Sequence, residues 1–105
     1  MTTAIATQIA STFDLSAREL YRQALISFLH EKRRQVLHHK LEILARYQAE
    51  SVADLEARIT EGTVSEHPAW EDLIVAENLS ARLEELDGHV ANLQRAEDDR
   101  AQRVR

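Results

Sequence analysis

His38 and Glu42 stand four residues apart, one helical turn, with His39 beside the first of them. At that spacing a helix can offer an imidazole and a carboxylate to one ion. Zinc needs three or four convergent ligands, and no second His-x-x-x-His or Glu-x-x-His pair supplies the rest. The di-iron pattern, Glu-x-x-His on two helices plus two further Glu, is absent as well. Four of the five His are therefore read as solvated, partly packed or at helix ends: His38 and His39 near Leu41, His67 at a helix start, His89 on the surface. No metal and no cofactor is assigned.

Nucleophile chemistry fares no better. There is no Cys, no Gly-x-Ser-x-Gly turn, and the Ser residues fall where helix caps are expected. Glu84, Glu85 and Asp87 lie on a polar face, where solvent keeps carboxylates ordinary, and no Gly-rich loop cradles a phosphate. No catalytic residue is assigned, and the chain reads as a non-enzyme. A basic run remains. His30-Glu31-Lys32-Arg33-Arg34, continued by Lys40, sets four fixed positive charges against one negative. Without interleaved aromatics or a helix-turn-helix, Lys32, Arg33, Arg34 and Lys40 read first as a solvated face pairing with acidic helices. Nucleic-acid contact is the weaker use of that face.

The elements that position these residues are helices. The chain has 105 residues, 44% hydrophobic and 30% charged, with two Gly and one Pro. Those are too few turn residues for a many-stranded β fold and too many apolar residues for a disordered tail. Net charge is −5, which disfavours a dedicated nucleic-acid binder. The longest apolar run, Leu73 to Ala76, is far short of a membrane span. Met1 to Thr12 lacks the basic start of a signal peptide, so a cytoplasmic location is expected.

Ser16-Ala17-Arg18-Glu19 and Ser51-Val52-Ala53-Asp54 have capping-box spacing, and Gly62 followed by Pro68 marks one helix end and the next start. The pattern predicts helices over about 17–48, 52–61 and 68–98. In the last, Ala76, Leu79, Leu83, Leu86, Val90 and Leu93 alternate steps of three and four, a heptad seam. Gly88 lies off the seam, and Glu97 and Arg100 continue it with charges. Two rods of matched length joined by a short helix fold back antiparallel. Charge favours that: residues 1–50 carry seven Lys/Arg against five Asp/Glu, residues 51–105 six against thirteen. In this register Lys32, Arg33 and Arg34 fall near Glu84 and Glu85.

The expectation is an all-α antiparallel helical hairpin with a short capping helix, assembling into a four-helix bundle. Residues 1–15 form a flexible or short amphipathic arm, 16–98 a single domain, and 99–105 a frayed tail. The first rod carries more apolar surface than one neighbour covers. Leu25, Phe28, Leu29, Leu37, Leu41 and Leu44 on it are expected at an interface, opposite the seam residues Leu79, Leu83, Leu86, Val90 and Leu93. Trp70 is read as a plug of the bend against Tyr47, Leu55 and Ile59, with a partner anchor as its other use.

The run Leu20-Tyr21-Arg22-Gln23-Ala24-Leu25, with Phe28-Leu29 and Lys32-Arg33-Arg34, resembles the first helix of small bacterial and archaeal antitoxin-like helical proteins. Tyr47, Ser51, the Glu61-Gly62 end and the His67 to Asp72 segment (His-Pro-x-Trp-Glu-Asp) continue the likeness, over about residues 15–90. The resemblance implies a protein that binds and masks a toxin, commonly a ribonuclease. Met1 to Phe13 is too short for the DNA-binding module many antitoxins carry. The expected partners are a second copy of the chain, a protein such as a toxin, or both. The alternative is a scaffold homo-oligomer with no separate ligand.

Overall fold

The computed structural model describes the backbone of residues 2–104 and the side chains of residues 4–96. The fold is all-α: α1 (Thr2–Thr12), α2 (Ala17–Arg46), α3 (Val52–Glu61) and α4 (Glu66–Val104). Two compact units divide the chain. One comprises residues 1–31 and 88–105, the other residues 32–87.

Local chemistry sets the helix ends. Ser16 Oγ accepts from the Glu19 amide at 3.0 Å, while the Glu19 carboxylate turns to Arg22 and Gln23. Ser51 caps α3 through the Asp54 amide at 3.0 Å. The Asp54 carboxylate reaches one residue past the box, to the Glu50 amide at 2.9 Å. That amide, followed by Arg58, holds the Asp54 carboxyl below the ordinary aspartate range. At the C-termini one motif recurs three times. The amides of Asp14, Gln48 and Gly62 bond the carbonyls of Ser11, Ala45 and Ile59, and the next amides reach back to Ala10, Leu44 and Arg58. This is the Schellman arrangement, which needs a left-handed residue. Asp14, Gln48 and Gly62 take φ of 59, 53 and 79°.

Residues 32–87 form the hairpin. The second half of α2 and the first half of α4 run antiparallel, tied by Arg33–Asp87 at 2.7 Å and Arg46–Asp72 at 3.4 Å, and α3 closes the bend. Leu44, Leu55, Ile59, Ala69 and Leu73 build the core, with Tyr47, Ala49, Val52 and Val64 packed around it. Apolar side chains from three helices leave water together there, at about 25 cal/mol per Å². The seam residues Ala76, Leu83 and Leu86 are buried too.

Three expectations need correction. The plug of the bend is Ala69 and Leu73; Trp70, one residue round the helix from Ala69, points outward and is 50% exposed. Arg33 meets Asp87 instead of Glu84 and Glu85, a slip of less than one turn in the antiparallel register. Residues 2–12 form α1, in which Ala10 is only 1% exposed. Helix α4 continues to Val104 without an end near 98, although its regular φ/ψ begin only after the extended His67. The side chains of Glu97 and Arg100 lie outside the described residues.

Candidate functional site

The polar constellations form pairs. His38 Nε2 lies 2.6 Å from Glu42 Oε1 and His67 Nδ1 lies 2.8 Å from Glu71 Oε1, each pair one turn apart and largely exposed. The Glu71 carboxyl is held below its usual range, first by its own backbone amide and then by His67. Among the described residues no three His, Asp or Glu converge to hold a metal. In the basic run, Arg33 is committed to Asp87, whose carboxylate raises the guanidinium pKa. Tyr47 donates its hydroxyl to Asp72. Burial, reinforced by that bond, pushes the Tyr47 phenol up to about 12. Arg33–Asp87 and Tyr47–Asp72 tie helices together, whereas His38–Glu42 and His67–Glu71 are pairs within one helix.

The exposed apolar residues are the informative ones. Within residues 32–87, Trp70 and Ile74 lie one turn apart on α4 with Val75 beside them, all in solvent. Pro68 opens the regular helix with a preset φ; Ala69 after it is fully buried, and the adjacent indole is half exposed. A shallow groove of about 470 Å³, lined by Ile59, Thr60, Glu66, His67 and Trp70, runs beside it. Its rim is mixed, with an imidazole, a carboxylate and a hydroxyl around the indole, the composition of an anchor pocket with a polar border. Leu41, on α2, is exposed as well.

The unit formed by residues 1–31 and 88–105 has two apolar grooves. One, of about 430 Å³, is lined by Leu25, Phe28 and Leu29 of α2 and His89, Asn92 and Leu93 of α4. The other, about 660 Å³, lies between α1 and the start of α2 and is lined by Ile5, Ala6, Ile9, Ala17, Arg18, Leu20, Tyr21 and Ala24. Ile5, Ile9, Phe13 and Tyr21 are all exposed large apolar side chains.

The residues expected at an interface therefore divide. Phe28, Leu41 and Trp70 are exposed, and Leu25, Leu29, Leu37, Leu79, Val90 and Leu93 are half-buried. Leu44, Leu83 and Leu86 are already buried within the single chain and have no surface to offer. Ile5, Ile9, Phe13 and Tyr21 were not among the residues expected at an interface, though the four-residue spacing of Ile5, Ile9 and Phe13 fits the amphipathic arm expected over residues 1–15.

No helix among the described residues is long and apolar enough to cross a membrane. The chain belongs to the uncharacterized protein MJ0235 family, which residues 1–98 match. No curated protein and no solved structure matches it.

Proposed function

We propose that this member of the uncharacterized protein MJ0235 family is a non-enzymatic, helical interaction protein that anchors a protein partner on Trp70. The exposed indole carries the reading. A Trp is the side chain that contributes most per residue to interfaces, and half of this one faces water while smaller neighbours fill the core. Ile74 and Val75 extend the anchor along α4, and Glu66, His67 and Thr60 give it a polar rim. The antitoxin likeness supplies the partner class: a toxin whose working surface this patch covers, both proteins being cytoplasmic. The commitment of Arg33 to Asp87 favours this protein-binding reading over phosphate contact by the basic run.

Co-expression with the product of the adjacent gene, followed by size-exclusion chromatography, tests it. A co-eluting complex is expected, and Trp70→Ala weakens it at least tenfold while the free chain keeps its thermal stability to within about 1 kcal/mol. Failure to co-elute, or a Trp70→Ala chain that binds as tightly as the parent, overturns the reading.

A further inference from the structure

We propose that the α1 face is the surface through which two copies of this chain associate, the α1–α2 groove of each receiving α1 of the other. Helix α1 carries no charged residue between Thr2 and Thr12. Ile5 and Ile9 rise from it one turn apart, Phe13 follows at the same spacing, and Tyr21 stands across the groove on α2. Phe13 and Tyr21 are 67% and 68% exposed, the most exposed large apolar side chains described.

Area points to a second copy. These four side chains leave on the order of 500 Å² in water per chain. A twofold pairing removes about 1,000 Å² from them alone, where specific interfaces begin. Ala6, Leu20 and Ala24, which also line the groove, add to it. The small Ala side chains leave the space that an Ile of an opposing α1 fills, which makes the surface complementary to itself.

Charge narrows the occupant further. Across a twofold axis each residue meets its own kind or its symmetric neighbour, so like charges there repel. An uncharged helix escapes that penalty within a chain of net charge −5. Among the described residues lining the groove Arg18 alone is charged, and Asp14, four residues before it in the sequence, has the opposite sign. A membrane surface is the poorer occupant, because amphipathic helices that lie on lipid carry Lys and Arg on the polar face. Pairing two α1–α2 units yields four helices around one apolar centre, the arrangement that covers surface a lone unit leaves wet.

This proposal stands on a different surface from the Trp70 anchor, and its test separates the two. Sedimentation equilibrium of the full chain at micromolar concentration is expected to give twice the 12.0 kDa chain mass. The double variant Ile9→Glu, Tyr21→Glu is expected to sediment as a 12.0 kDa species with unchanged helical circular dichroism. Because the chain has no Cys, Ile9→Cys provides a second measurement that needs no disrupted fold. It should cross-link to a covalent dimer on oxidation, whereas Glu56→Cys on α3 should not. A parent chain that sediments as a single copy, a double variant that stays dimeric, or cross-linking at Glu56→Cys but not at Ile9→Cys each overturns the proposal. So does a parent chain that stays single yet binds anionic lipid vesicles through Ile9. The double variant, if it still binds the adjacent-gene product through Trp70, shows dimerisation and anchoring to be separate. A parent chain that dimerises but fails to bind the adjacent-gene product counts against the anchor alone.

Discussion

The Tyr47 hydroxyl donates to the Asp72 carboxylate and so joins the residue just past α2 to the second turn of regular α4. Arg46 reaches the same carboxylate oxygen at 3.4 Å, and Tyr47 itself packs against the core formed by Leu44, Leu55, Ile59, Ala69 and Leu73. One phenol thus closes the hairpin at its bend with an apolar ring and a polar tip.

Tyr47→Phe keeps the ring and deletes the bond, and should cost about 1 kcal/mol in denaturant unfolding at neutral pH. The pH dependence has a definite sign. The phenol titrates at about 12 when folded against 10.0 for its ordinary value. The folded chain holds the proton more tightly, so this stability is whole below pH 10 and is lost as pH rises toward 12. The Phe variant should lack that alkaline decline. An identical slope in both proteins between pH 10 and 12 would remove the assignment.

The three left-handed helix ends make a matched set. Gln48 has a Cβ in a conformation that penalises it, so Gln48→Gly should stabilise the chain by about 0.5–1 kcal/mol. Gly62→Ala should cost about 1 kcal/mol, although the space around it is open, because φ at 79° carries the strain. Gly88 is the opposite case: it sits mid-helix with nothing within 4 Å of an added Cβ. Gly88→Ala should therefore stabilise by about 0.5–1 kcal/mol. Differential scanning calorimetry of the three variants should show melting temperatures up, down and up.

Leu83 is 7% exposed within the single chain. Leu83→Asp places an ionised carboxylate among apolar groups without a partner, which costs several kcal/mol. Unfolding is expected, in place of the dissociation that an interface role for Leu83 would give. Circular dichroism of a folded, monomeric Leu83→Asp chain would show that the seam packs between copies after all.

Local signals in the sequence were enough to place α3. Ser51 and Gly62 bound it where expected, because a cap is made by side chains and amides within a few residues of one another. The same locality located the start of α2 at Ser16 and the seam of α4 from Ala76. Other ends were harder: Asp14 and Gln48 play the part Gly62 plays, yet neither residue type announces a left-handed cap.

What a single sequence determines here is helix content, most helix boundaries and the antiparallel return, since capping, periodicity and rod length all act along the chain. Tertiary packing decided which apolar residues are spent inside. A three-helix core of small and branched residues took Leu44, Ala69 and Leu73, and the rotation of one residue along α4 left Trp70 in water. Packing likewise set Arg33 against Asp87 and folded the first residues into a helix, because register and burial depend on volumes brought together from distant parts of the chain.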